Sequence, residues 1–408
     1  MLATLIPLFD EKMEVCSYSI FAQKENYLLR PTMQSTSRYD NAGNVVGLEI
    51  IDSVGTEALS GNKELFIEMN EVSIYADLGS QCNADHNHIV LLIGPSIKPQ
   101  EEYIERLKAL KEDGYKLAMR KLLVAQFEEY KEILKLCDYI LLNHQKIDIS
   151  KARIYFNKMY PEMKLCAVNV NSQLEYDRLK EIGGYDLYEG EFFRIPVVKN
   201  DQDVAPLKAN YINLLNVVNN SNFELTEAAD IISQDPALMI SMLEMVNKMT
   251  VSSGITSVRQ AAALLGQKEL KKWITTAVTK ELCADKPSEI ARMSMMRAKF
   301  AENLATSFEM PLQASELFLM GLFSNIDVML GKPMEEALGM VVVSDNIKEA
   351  LLDKTGKFYP VMDFIRQYEN ANWQEISRQL LLLDIDMNVI YEAYLNSLSW
   401  YRDLLSIK

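Results

Sequence analysis

Histidines, cysteines and paired acids are the residues that hold metals or activate nucleophiles, and this chain groups few of them. Its 408 residues include three histidines, His86, His88 and His144. Asp85-His86-Asn87-His88 has the composition of a metal-binding tetrapeptide. No third histidine lies beside it and an apolar run follows at once, so a surface loop before a strand is expected. The five cysteines, Cys16, Cys82, Cys137, Cys166 and Cys283, are scattered and form no Cys-x-x-Cys pair. Reduced thiols and no zinc site are expected. Gly183-Gly184 lacks the rest of a dinucleotide fingerprint, and no Gly-x-Ser-x-Gly elbow occurs. The residues themselves therefore point to no cofactor and no metal.

The elements that would carry any site fall into two kinds. Up to residue 198, starting near Met13, short apolar runs alternate with amphipathic segments. Strands are expected at 64–69, 88–94, 115–119, 138–142, 163–168 and 185–188, with helices at 99–113, 125–136, 147–159 and 172–182. Repeated strand-then-helix units argue for a parallel sheet, and for a barrel if it closes. Residues 200–206 are polar, include Pro206 and read as a linker. The expected division is 1–199 for the barrel, 200–206 for the linker and 207–408 for a helical domain. The apolar N-terminal run is short, lacks a basic start and contains Pro7 and Asp10, which argues against a signal peptide. No run approaches the about 18 apolar residues of a membrane span.

The helical half is organised around residues 225–278. Thr226 is placed to cap a first helix. Asp235 caps a second, with Pro236 at its first position, where a missing N–H costs nothing. Leu238, Met242, Met245 and Val246 share one face of it. Ser257 is placed to cap a third helix, which Gly266 ends after Leu264-Leu265. Leu270, Trp273, Ile274, Ala277 and Val278 recur at helical spacing in a fourth. These are packing and capping residues. Clustered methionines (Met239, Met242, Met245 and Met249, then Met293, Met295 and Met296) read as adaptable core, with a plastic groove for a partner as the functional alternative. Lys268, Lys271 and Lys272 beside Trp273 read as a solvated helix face, with a small nucleic-acid patch as the minority alternative in so acidic a chain.

This stretch resembles the HDOD domain, a helical bacterial signalling module related to HD-type metal-dependent phosphohydrolases. The resemblance rests on Asp235, Pro236, Ala237 and Leu238, on Val246 and Asn247, on 255–257, on Ala261, and on Leu265 and Gly266, in the family's order. It spans about residues 207–400 and implies an all-helical domain that has lost the histidine–aspartate metal site. The second half contains no histidine, and an HD-type hydrolase needs several such ligands on one bundle.

The first half is similar to EAL domains, TIM-type barrels that hydrolyse cyclic di-GMP with two metal ions held by carboxylates at strand ends. The similarity rests on 108–119, 137–143 and 183–196. It implies that the metal-holding positions have changed. The opening Gln-Pro-Ile falls at Tyr18-Ser19-Ile20 and Glu-x-Leu near Pro31-Thr32-Met33. An asparagine ligand falls at or near Glu68, and the next strand's glutamate in Leu91-Leu92. The paired aspartates fall at Arg120-Lys121. The following lysine and aspartate fall at Leu141 and Asn143, the last glutamates at Val168 and Asn171, and a loop glutamine at Glu189. Two cations at the aspartate positions repel metal, although Arg120 and Lys121 could meet a phosphate.

The expected architecture is a degenerate EAL-like barrel followed by an HDOD domain. The expected function is regulatory and non-enzymatic, through binding other signalling proteins. A cyclic di-GMP receptor that does not hydrolyse is the alternative, and an active phosphodiesterase ranks third. A net charge of −15 disfavours broad binding to nucleic acid or anionic membranes. A cytoplasmic location is expected, and homo-oligomerisation is left open.

Overall fold

The computed structural model describes residues 1–26, 28, 45–195, 206–220, 222–249 and 254–405. The placement of Glu-x-Leu at Pro31-Thr32-Met33 and nearly all of the 200–206 linker lie outside these residues. Two compact units result. One holds Met1–Ile195 with Phe364–Ser399, and the other Pro196–Asp363 with Trp400–Lys408. The helices of 364–399 thus group with the barrel residues, whereas the sequence division assigned them to the helical half.

Among the described residues the first unit contains a closed barrel in the order β1 to β8. The strands are β1 (Leu2–Phe9), β2 (Val15–Gln23), β3 (Glu64–Glu68), β4 (Ile89–Ile93), β5 (Lys116–Arg120), β6 (Tyr139–Asn143), β7 (Lys164–Val168) and β8 (Leu187–Glu189). From β2 to β8 neighbouring strands are parallel, while β1 runs antiparallel to both β2 and β8. The barrel therefore begins before Met13. The apolar N-terminal run is itself a strand, joined to β2 by a tight turn in which Asp10 accepts the N–H groups of Lys12 and Glu14. The longer helices of this half are α1 (Val46–Val54), α2 (Glu101–Glu112), α3 (Ile149–Met159) and α4 (Gln173–Ile182).

Strand period two sorts the side chains. Leu8, Phe66, Val90, Leu92, Ala118, Tyr139, Leu141, Cys166 and Leu187 fill the interior. The strand starts seal one end with a polar knot. Glu64 accepts hydrogen bonds from Lys116 and from Tyr139 (2.5 Å), whose hydroxyl also receives one from Lys164 (3.3 Å). The strand ends Glu68, Arg120, Asn143, Val168 and Glu189 form the other end, the mouth.

In the second unit the main helices are α5 (Pro206–Asn219), α6 (Leu225–Ile232), α7 (Pro236–Met249), α8 (Val258–Leu282), α9 (Ser288–Leu304) and α10 (Ala314–Phe323). Helix α6 starts one residue before Thr226, with Glu224 as its N-cap, so Thr226 does not cap it and donates to Glu224 instead (3.4 Å). Gly266 has φ +70°, which breaks α8 into the two expected segments. Near the C-terminus lie α11 (Tyr359–Glu369), α12 (Trp373–Leu382) and α13 (Met387–Leu405). No helix of the described residues is long and apolar enough to cross a membrane.

Candidate functional site

The mouth is assembled from strand ends that share a face with the barrel core. Arg120, two residues beyond the buried Ala118, points inward with it. Its guanidinium carbon lies 5.1 Å from the centre of the Phe21 ring, a cation–π contact. One guanidinium nitrogen is fully buried with no hydrogen-bond partner among the described residues. Across the mouth stands Glu189, whose carboxyl is pushed above the usual range of 4.5 by burial, with the Arg120 charge opposing. Lys121 takes a left-handed backbone (φ +59°), and its ammonium lies 3.6 Å from Glu68. The two acids of the mouth therefore face two cations of adjoining chain.

Arg120 and Lys121 are thus brought together with Asn143, Lys146, Asn169 and Glu189 around a cavity of about 370 Å³. Leu141 and Val168 complete its floor. Phe21, which sequence reasoning did not single out, is the ring against which Arg120 is held. Its signal is the alternation along β2 that turns Ser17, Ser19 and Phe21 to one face. Among the described residues no group of three or more His, Cys, Asp or Glu side chains is placed to hold a metal ion.

Removing Arg120 changes the titration of its neighbour. A carboxyl whose folded pKa is raised loses its proton later than in the unfolded chain. The folded state therefore loses stability as pH rises from the unfolded towards the folded pKa. Arg120→Met removes the opposing cation, so Glu189 is expected to titrate still higher and this pH window to extend upward. Carbon-13 NMR of the Glu189 carboxyl checks this, and an unmoved or lowered pKa contradicts it.

The three histidines are engaged elsewhere. His86 stacks on Tyr115 (4.2 Å between centroids), and its Nδ1 lies 2.9 Å from the Asp113 carbonyl. Asp85 caps the short turn that carries both His86 and His88. His144 lies with Nδ1 3.0 Å from the Val168 carbonyl and Nε2 3.4 Å from Glu175.

In the helical unit the Asp235 carboxylate accepts the N–H groups of Ala237 (2.9 Å) and Leu238 (3.0 Å) and the Tyr211 hydroxyl (3.0 Å). Pro236 occupies the first position of α7, and Leu238 is buried. Asn247 clamps Ile255 from both sides, donating to its carbonyl (2.9 Å) and accepting its N–H (2.5 Å). Leu265 is half-buried next to the break at Gly266. These residues cap and clamp. Asp235→Ala is expected to destabilise the helical unit by about 1–2 kcal/mol, and Asp235→Asn by less. A denaturant midpoint unchanged in the alanine variant would contradict the capping role.

The lysine trio is not a uniformly solvated face. Lys268 is exposed, but Lys272 is paired with Glu302 (3.0 Å) and lies over the Phe318 ring (5.3 Å). Burial pushes the Lys271 ammonium below its usual pKa.

A closed barrel with one antiparallel opening strand, followed in the same chain by a helical region, defines the class of architecture. Residues 204–349 match the HDOD domain, and 46% of the chain aligns with 60% of the EAL enzyme Bd1971 in its cAMP-bound form, at 11% identity with a TM-score of 0.36. YuxH of Bacillus subtilis is 27% identical over 413 residues, covering 98% of both chains. The cyclic di-GMP phosphodiesterase CdgJ of Vibrio cholerae is 24% identical over 358 residues, covering 86% of this chain and 82% of CdgJ. Among solved structures, the manganese and cyclic di-GMP complex of BlrP1 from Klebsiella pneumoniae is 15% identical with a TM-score of 0.39. It covers 47% of this chain and 55% of that one.

Proposed function

We propose that this chain is a non-enzymatic regulator in cyclic di-GMP-linked signalling, acting by binding other signalling proteins. The observation that carries the reading is the Arg120 guanidinium set inside the barrel mouth against Phe21 and facing Glu189. Two divalent ions need several hard oxygen ligands converging on one place. Here Glu68 already faces Lys121, and a fixed cation repels a second one close by.

The opening strands support the same reading. With β1 and β2 both ahead of β3, the family's proline-centred tripeptide sits best at Ile6-Pro7-Leu8 on β1. Its Glu-x-Leu then falls one strand later, at Ser19-Ile20-Phe21 on β2. This replaces the earlier placement at Tyr18-Ser19-Ile20 and Pro31-Thr32-Met33. It puts a buried serine hydroxyl in the position of a metal-binding glutamate. The name of CdgJ attaches cyclic di-GMP to a relative that aligns over most of this chain.

Manganese titration followed by electron paramagnetic resonance tests the reading. The free-ion signal is expected to persist in the presence of the protein. Its stoichiometric loss on the wild type, but not on a Glu68→Gln/Glu189→Gln variant, would sink the proposal.

One observation favours a second reading. Arg120, Lys121 and Lys146 line the same cavity, which suits a phosphate held without metal. Calorimetric titration with cyclic di-GMP in chelator would then give binding that Arg120→Ala/Lys121→Ala abolishes.

A further inference from the structure

The charge in the mouth cavity is not balanced from within. Three cations and one acid line it, Arg120, Lys121, Lys146 and Glu189, in a chain whose net charge is −15. Lys121 is paired with Glu68 at 3.6 Å. Among the described residues Arg120 and Lys146 form no salt bridge, and one Arg120 guanidinium nitrogen is buried without a hydrogen-bond partner. With the Lys121–Glu68 pair set aside, two cations stand against one acid. Phe21, 5.1 Å from the guanidinium carbon, fixes Arg120 without neutralising it.

The remaining wall is largely aliphatic. Leu141 and Ile147 are buried. None of the lining residues is aromatic, so the wall offers no ring on which a nucleobase would stack. Aliphatic side chains are the better match. Leu123, which also lines the cavity, is 55% exposed, and Val124 beside it is 58% exposed. The two open the short turn Val124–Gln126 that follows β5. Cations beside exposed aliphatic side chains suit protein binding, in which apolar contact supplies affinity and charge selects the partner.

We propose that the mouth docks an acidic-aliphatic peptide segment of a partner protein. One carboxylate of the segment is held by Arg120 and Lys146, and its neighbouring aliphatic side chains rest on Leu123 and Val124. This rests on the reading of the chain as a regulator that binds other proteins, and it names the surface and the chemistry of the partner.

The test pans a displayed random nonapeptide library against the immobilised full chain in chelator. The most enriched peptide is then synthesised for calorimetry. Enrichment of Asp or Glu flanked by Leu, Ile or Val is expected. Replacing the acid of that peptide by its amide is expected to weaken binding about tenfold, and Lys146→Glu in the protein to do the same. Affinity for the amide peptide is expected to be unchanged by Lys146→Glu. Leu123→Ser with Val124→Ser is expected to weaken both peptides alike. Lys146, Leu123 and Val124 are exposed, so these variants stay decisive should Arg120→Met misfold. A library with no preference for acid over amide overturns the proposal. So does acidic-peptide affinity untouched by Lys146→Glu. Either failure, with the manganese signal of the free ion unaltered, overturns this proposal alone and leaves the regulator standing. Stoichiometric manganese binding overturns both.

Discussion

Gly321→Ala is expected to cost the helical unit about 2–3 kcal/mol of stability. A Cβ at Gly321 would lie 2.4 Å from the carbonyl oxygen of Arg297, 2.5 Å from its carbonyl carbon and 2.6 Å from the nitrogen of Ala298. All three are backbone atoms inside α9, so no rotamer change makes room. Helices α9 and α10 would have to separate. That movement would pull on a buried polar network in which Arg297 donates to Ser324 (2.9 Å) and Asn325 (3.0 Å), and Asn325 donates to Ser294 (2.8 Å). Losing such a partner leaves a buried polar group unsatisfied, at about 1–3 kcal/mol. The helix-propensity gain of alanine over glycine, about 1 kcal/mol, works in the other direction. The packing cost wins because the obstacle is backbone. Urea unfolding measures the difference, and a variant as stable as wild type or more so would contradict the close crossing of α9 and α10.

Phe192→Ala is expected to cost the barrel unit about 3–5 kcal/mol. Phe192 is fully buried. Its ring stacks on Tyr176 of α4 (4.6 Å between centroids) and meets Phe9 at the end of β1 edge-on (5.4 Å). Phe9 also packs against Phe193 (4.6 Å), and Tyr176 against Tyr188 of β8 (5.1 Å). These rings lie where β1 meets β8, a seam with only two residue pairs, Leu8 with Glu189 and Phe9 with Tyr188. Truncation at Phe192 leaves a cavity beneath the weakest joint of the barrel. Thermal unfolding followed by near-ultraviolet circular dichroism reports it. A loss under about 1 kcal/mol would show that the seam is held by its backbone pairs instead.

How much of this was legible in the sequence depends on how local the cause is. The cap at Asp235-Pro236 and the break at Gly266 are set within a few residues, and the structure has both. The strands from β3 to β8 announced themselves as short apolar runs, of which residues 89–93 are buried throughout. The strand β1 was hidden because its pairing decides its role. The apolar run around Pro7 was weighed only as a signal peptide, yet two apolar runs about a tight polar turn are a hairpin signal. The grouping of 364–399 with the barrel residues was not legible at all. Those helices are amphipathic, and an apolar face does not name its partner. The structure supplies it: the Tyr368 hydroxyl accepts the Ala3 N–H (3.2 Å), and Gln23 donates to Ser377 (3.1 Å).

The mouth divides along the same line. The residue types at Arg120 and Lys121 could be read from the chain, and strand period two places Arg120 inside. That Arg120 rests on Phe21, 99 positions away, and faces Glu189 depends on barrel closure.

The measurement that bears most directly on the central claim is cyclic di-GMP turnover by the purified full chain with saturating Mg²⁺ or Mn²⁺, followed by nucleotide chromatography. The Arg120 cation in the mouth predicts intact cyclic di-GMP after prolonged incubation with either metal. Metal-dependent conversion to the linear dinucleotide, abolished by Glu68→Gln or Glu189→Gln, would contradict it and make the mouth a working hydrolytic site.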